Sequence, residues 1–428
     1  MQSILTIASK LSWKINTFYV TSAYLHSKID QTIFVKLPPG VTIGENKVLK
    51  LKKTLYGLKQ VGRYWCIHLK EILKEIGFKE NENDQSRYVY KHGEDYDILW
   101  IQVDNGILVT RNDTIMEMLK FKLTERFKLR WDKDINSEVG IEINREGTGF
   151  ILKQPRLIKK LIQATDSHST ESKPLPEIKL KSSPASQIKH KYLLAIGMIL
   201  YLSQAMRPDV MYAVNYLARF AINTKHEHWK ELKNLVDYIS TAKHQASQVG
   251  VDNARRSMDV YIDANWGGEG SRSQHGFCIV LYGTMVAWNL KMKSCITILT
   301  CQAEYMALSF EAREVLWLVS NMEDMIGHQC PALLLENRSE IQIANKSSRK
   351  RKSRHIQREF HIINELEVSG KLTIDWISTT DNMADIFTKW QRKIKTSKFR
   401  DCMDGLWGWV LRRNLKIMMI VSNYTNPI

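Results

Sequence analysis

Four carboxylates beyond residue 258 stand where secondary-structure elements are expected to end or begin. Asp263 follows the apolar run Val260-Tyr261-Ile262, and Glu304 sits in the first turn of a helix expected over 302–325. Glu336 follows Leu333-Leu334-Leu335, and Asp385 begins a helix expected over 384–389. Carboxylates gathered at one edge of a mixed sheet repel one another unless cations neutralise them. Two Mg²⁺ ions held roughly 3.5–4 Å apart stabilise both oxygens of an in-line phosphodiester displacement, and Mg²⁺ takes oxygen ligands. Taken singly, each of these acids is more often a helix cap or a surface charge, so spacing alone leaves both readings open.

Between Glu336 and Asp385 the segment Lys346 to Arg358 holds seven Lys or Arg. Arg349, Lys350, Arg351, Lys352 and Arg354 could contact phosphates beside a metal site, with His355 or His361 assisting proton transfer. The Arg349–Lys352 run also reads as an import signal, or as a solvated charged loop.

The whole chain is basic. Its 428 residues carry 62 Lys and Arg against 45 Asp and Glu, a formal net charge of +17. Nucleic acid is the natural partner, because a basic groove gains sequence-independent affinity by releasing counterions from phosphates. A solvated basic surface is the bland alternative. Six cysteines, at 66, 278, 295, 301, 330 and 402, form no C-x-x-C pair, so neither a zinc site nor a disulfide framework is indicated. No run of 18 apolar residues and no secretory signal pattern is seen, so the expected location is nuclear or cytoplasmic, with no membrane span.

The elements that must position these groups fall into an α+β or α/β pattern. A helical stretch near the N-terminus leads into a strand at Thr17–Val20, and a second strand is expected at Thr32–Leu37. Residues 58–77 read as an amphipathic helix. Tyr96–Val103 and Gly106–Thr110 flank Asp104-Asn105 as a hairpin with those two residues at its tip, followed by a helix at Met116–Phe127. Asp166–Lys189 reads as a linker, Tyr192–Tyr238 as helical with a break at Pro208, and 244–257 as a polar boundary. Strands follow at Asp259–Ile262, Gly276–Tyr282, Met285–Leu290, Ala332–Leu335 and Lys371–Trp376. The expected domains are 1–130, 131–245 with the linker near 166–189, 258–390, and an irregular tail at 391–428.

Local phrases give the pattern a family. Tyr261-Ile262-Asp263-Ala264-Asn265-Trp266, Thr300-Cys301-Gln302-Ala303-Glu304-Tyr305, Leu335-Glu336-Asn337-Arg338-Ser339, Ser353-Arg354-His355 and Asp381-Asn382-Met383-Ala384-Asp385 occur in this order. They resemble the successive motifs of the ribonuclease H of copia-type retrotransposon Pol polyproteins. The resemblance implies a ribonuclease H-like mixed-sheet domain over 258–390, with Asp263, Glu304, Glu336 and Asp385 as ligands for two Mg²⁺. Glu336 stands where the family has Asp. The ligand chemistry survives, but the extra methylene moves the carboxylate, and reduced hydrolysis is expected.

Residues 1–240 resemble the family's reverse transcriptase. Tyr19-Val20-Thr21-Ser22-Ala23-Tyr24-Leu25, Leu55-Tyr56-Gly57-Leu58-Lys59-Gln60, Val103-Asp104-Asn105 and Arg207-Pro208-Asp209 carry the likeness. It implies a truncated fingers–palm of residues 1–130 and a helical thumb or connection, with the preceding finger region expected upstream of Met1. Gln60 matches the nucleotide-facing helix start. The family places Asp at the positions of Tyr19 and Asn105, so of the polymerase ligands only a vestigial Asp104 remains. A phenol titrating near pH 10 is no anionic ligand at neutral pH. Three outcomes stay open: cleavage of RNA in RNA–DNA hybrids without polymerisation, a non-catalytic nucleic-acid-binding or domesticated remnant, and a poorly folded relic. Oligomeric state is not legible.

Overall fold

The computed structural model describes residues 1–37, 39–41, 48–93, 95–132, 137–167, 189–241, 247–250, 258–265, 274–292, 316–317, 319–325, 332–336 and 368–389. The chain divides into two compact units, Leu11–Val139 and Met1–Lys10 with Gly140–Ile428.

The unit Leu11–Val139 is built on a six-stranded antiparallel sheet. Its spatial order is Phe78–Glu80, Arg87–His92, Asp95–Gln102, Asn105–Thr110, Lys14–Val20 and Leu129–Asp132. The helix Val61–Ile76 buries Trp65, Leu69, Ile72, Leu73 and Ile76 against Phe18, Val20, Leu99 and Leu108, whereas Tyr64 and Ile67, which the sequence spacing places on the apolar stripe in place of Trp65, are half-buried and exposed. It ends at Gly77, whose φ of 112° lets its N–H close on the Leu73 and Lys74 carbonyls. A second helix, Asp113–Arg126, is capped by the Asn112 side chain accepting from the Ile115 N–H.

The other unit has three parts. Ile141–Glu146, Gly149–Lys153 and Ser247–Val249 pair antiparallel, and the helix Gln2–Lys10 packs beside them. Helices Pro155–Thr165, Lys189–Ala205, Met211–Ala218 and His226–Thr241 bury Leu161, Tyr192, Ile199, Leu217, Leu235 and Ile239 together. The helical break falls at Pro208, where Arg207 donates to both Asp209 carboxylate oxygens at 2.8 Å and Tyr238 donates at 2.9 Å. That buried ion pair persists because its hydrogen bonds replace lost hydration.

The third part is the mixed sheet that the sequence predicts. Its order is Thr284–Met292, Gln274–Leu281, Met258–Asn265, Ala332–Glu336 and Leu372–Trp376. The first three strands are antiparallel and the last two join in parallel. The helix Asp385–Thr388 lies on one face, burying Phe387 and Ile386 against Tyr261, Cys278 and Val280.

Several local expectations shift. Asp263 lies inside the strand Met258–Asn265 rather than after it, because pairing with Gln274–Leu281 continues through Asn265. The hairpin tip is Val103-Asp104, not Asp104-Asn105, since Gln102 and Asn105 face each other. Of Thr32–Leu37, only Phe34–Val35 pairs, with Leu49–Lys50. Glu304, the basic stretch Arg349–His355, most of the linker and the tail 391–428 lie outside the described residues.

Candidate metal centre and the altered palm site

The mixed sheet and its short helix bring two of the four expected acids together. Asp263 lies on the same strand face as Tyr261, two residues earlier, and so faces the helix Asp385–Thr388. Its cross-strand partner is Gly276. A Cβ there would stand 2.5 Å from Cβ of Phe387, so only glycine lets the helix approach this closely. Asn382 fixes the approach. Its Nδ2 donates to the Ile262 carbonyl at 2.7 Å, and its Oδ1 accepts from the Ala384 N–H at 3.0 Å.

The two carboxylates then converge on one cation. Lys389 Nζ lies 3.0 Å from Asp263 Oδ1 and 2.9 Å from Asp385 Oδ1. Thr388 Oγ1 donates to the other Asp263 oxygen. Burial pushes the Asp263 carboxyl up to about 7, Asp385 adds to the rise, and Lys389 pulls against it. For Lys389, burial favours the neutral form, but the two carboxylates outweigh it and hold the ammonium above its ordinary range.

Glu336 ends its strand. Its neighbour Leu335 is level with Tyr261, so its backbone runs beside Met258–Asn265 toward Asp263. Among the described residues no group of three or more His, Cys, Asp or Glu is arranged to hold a metal. The donor set nevertheless suits a hard divalent cation, since two buried carboxylates already hold a positive charge between them.

The site at the Val103-Asp104 turn answers differently. Tyr19 stands opposite Asn105, and the Val20 N–H donates to the Asp104 carbonyl at 2.7 Å. The Asp104 charge, and a hydrogen bond to its carboxylate, raise the Tyr19 phenol above its ordinary range, so it stays neutral. Asn105 Nδ2 donates to Asp104 Oδ1 at 3.1 Å. The lone carboxylate is thus met by two neutral donors, a set that does not fit paired Mg²⁺ ions. The turn itself is strained. Val103 sits at φ 60°, unusual for a β-branched residue, and Trp65 Nε1 donates to its carbonyl at 2.6 Å. Gln60 precedes the helix Val61–Ile76, and its Nε2 donates to Gln31 Oε1 at 3.1 Å.

Asn382, Thr388 and Lys389 occur in the closing phrase of the sequence, but nothing in spacing assigned them roles. Lys389 four residues after Asp385 is an ordinary helical pair. Only the fold turns it onto Asp263. Gly276 carried no signal at all.

Comparison with known proteins gives the chain a family. The family model described as reverse transcriptase (RNA-dependent DNA polymerase) matches residues 1–179. The chain is 29% identical over 399 residues to a retrovirus-related Pol polyprotein from transposon RE1 of Arabidopsis thaliana, covering 90% of this chain and 27% of that one. It is 26% identical over 423 residues to the Pol polyprotein from transposon TNT 1-94 of Nicotiana tabacum, covering 94% and 32%. A solved foamy viral protease–reverse transcriptase in complex with double-stranded DNA aligns at a TM-score of 0.49 and 13% identity, over 88% of this chain and 58% of that one. The class is that of retroelement Pol proteins with a reverse transcriptase region. Within that class, this chain belongs to the copia-type retrotransposon Pol family. It spans roughly a quarter to a third of the curated relatives' length. Among the described residues no helix is long and apolar enough to cross a membrane.

Proposed function

We propose that this chain binds nucleic acid and that residues 258–390 carry a Mg²⁺-dependent ribonuclease H centre that cleaves RNA in RNA–DNA hybrids, without polymerase activity. The observation that carries the reading is the convergence of Asp263 and Asp385, from a strand and a remote helix, on one cationic point. A divalent ion there would supply the charge that activates water and stabilises the leaving oxygen.

The chain's own residues do the positioning. Asp263 and Asp385 would hold the ion, with Glu336 and Glu304 as the further ligands that the family resemblance implies. Thr388 orients Asp263, and Asn382 ties the acidic helix to the strand. Arg349, Lys350, Arg351, Lys352, Arg354 and His355 grip phosphates, with recognition by backbone, A-like shape and 2′-hydroxyls rather than by base sequence. Tyr19 and Asn105 leave the palm as a nucleic-acid-binding surface with Asp104 and Gln60 as vestiges. The site of action is nuclear or cytoplasmic.

The test is cleavage of an end-labelled RNA–DNA hybrid by the full chain in Mg²⁺. Cleavage lost in Asp263→Asn is the expected result. Cleavage equal in the wild type and Asp263→Asn removes the reading. A second reading, a purely non-catalytic binder, is favoured by the hairpin geometry, where Asp104 meets the neutral donors Tyr19 and Asn105. Salt-dependent hybrid binding with no cleavage in Mg²⁺ or Mn²⁺ would select it.

A further inference from the structure

We infer that Lys389 is a built-in stand-in for the divalent cation: its ammonium locks Asp263 and Asp385 together in the metal-free protein and must withdraw before the pair can take up metal. This rests on reading the pair as a metal centre.

Three features carry it. First, one ammonium bridges the two acids at 3.0 and 2.9 Å, using one oxygen of each, and so places positive charge between the two carboxylates. Second, exposure is lopsided. The Asp263 and Asp385 side chains are 1% and 2% exposed, whereas that of Lys389 is 36% exposed. The lysine has a path into water that the acids lack, and its flexible four-carbon stem can take it. Third, Asp263 keeps an anchor when the lysine leaves, because its other oxygen accepts from the buried Thr388 hydroxyl.

The charges close as an exchange. With both acids ionised, two carboxylates and one ammonium sum to −1; two carboxylates and one divalent ion sum to zero once the lysine has moved to solvent. Withdrawing the lysine removes a charge that balances the pair, and burial then favours a proton on a carboxyl unless another cation replaces it. The lysine therefore stabilises the empty site and weakens metal uptake by the same contacts. A site that is free for about a tenth of the time binds about tenfold more weakly than one always free.

The experiment is calorimetric titration of Mn²⁺ and Mg²⁺ into the metal-stripped full chain, paired with thermal melting in EDTA. The Asp263→Asn/Asp385→Asn double variant gives the baseline for binding elsewhere. Lys389→Met should bind about tenfold more tightly than the wild type, melt lower in EDTA and gain more from added metal. Lys389→Arg, which keeps the charge, should melt near the wild type and bind metal no more tightly; it also serves if Lys389→Met fails to fold. Equal or weaker affinity in Lys389→Met overturns the inference, as does Lys389→Arg binding more tightly than the wild type. If Lys389→Met matches the wild type while Asp263→Asn abolishes hybrid cleavage, the lock is wrong and the nuclease stands. If no protein takes up metal above the baseline and cleavage ignores Asp263→Asn, both fall.

Discussion

Two acidic centres, one in each unit, solve the same electrostatic problem in opposite ways. At the palm hairpin, Asp104 is satisfied by the neutral donors Tyr19 and Asn105. In the mixed sheet, Asp263 and Asp385 both meet the Lys389 ammonium. Neutral donors quench hydrogen-bonding demand without adding charge, so they leave one anion where paired cations would need several. A lysine balances the charge but holds it loosely. On the reading proposed above, the first centre is closed to metal by its own composition, and the second is only guarded. What decides whether an acidic cluster keeps its chemistry is therefore the kind of group that neutralises it, as much as the number of acids.

The largest effect should come from the guarded centre. We propose that Asp385→Asn lowers hybrid cleavage by on the order of 10²–10³, in line with losing several kcal/mol of metal-borne stabilisation, while Asp104→Asn leaves the rate unchanged. Time courses on labelled hybrid measure both, and an equal loss in the two variants would erase the contrast. Next, Tyr19→Asp with Asn105→Asp should convert the closed centre into an open one. Its three adjacent carboxylates should lower the melting temperature in EDTA, and Mn²⁺ should restore it.

Smaller effects test the scaffold. Asn382→Ala strands the buried Ile262 carbonyl and should cost about 1–3 kcal/mol in denaturant unfolding. Gly276→Ala forces Phe387 and its helix outward, costing about 1–3 kcal/mol by overpacking and loosening the Asp263–Asp385 approach. The smallest effect lies in the unit without the metal pair. Burial, with His26 adding to it, lowers the His68 pKa from 6.5. The unfolded chain then binds more protons just below that value, so stability should rise with pH through the window at and below 6.5. Melting of His68→Gln across pH 5–7 should flatten that rise.

How much of this could be read in advance depended on range. The positions Leu69, Ile72, Leu73 and Ile76 and the strand residues Thr17–Val20 follow local periodicity and were legible, but Ile67 is exposed and Trp65 holds the buried place instead. Asp385 at a helix start was legible for the same reason. The hairpin tip was misplaced by one residue because Asp104-Asn105 is good turn chemistry, while pairing across Gln102 and Asn105 puts strained Val103 there instead. The Asp263 strand read short because its last residues, Ala264 and Asn265, are poor strand formers held by Gln274 and His275 across the ladder. Lys389 and Gly276 were silent because their roles exist only between segments more than a hundred residues apart.

The helix Gln2–Lys10 has a consequence for how the molecule is made. Gln2 donates to the Ala205 carbonyl at 3.0 Å, and Ser9 Oγ donates to the Gly250 carbonyl at 2.9 Å. This helix thus waits for partners that follow some 200 residues later in the chain, while Leu11–Val139 has its own partners in hand. It is a clasp fastened late. An N-terminal tag or a short deletion should trouble the unit that carries the guarded acids, although the polymerase-like unit is its immediate neighbour in the sequence.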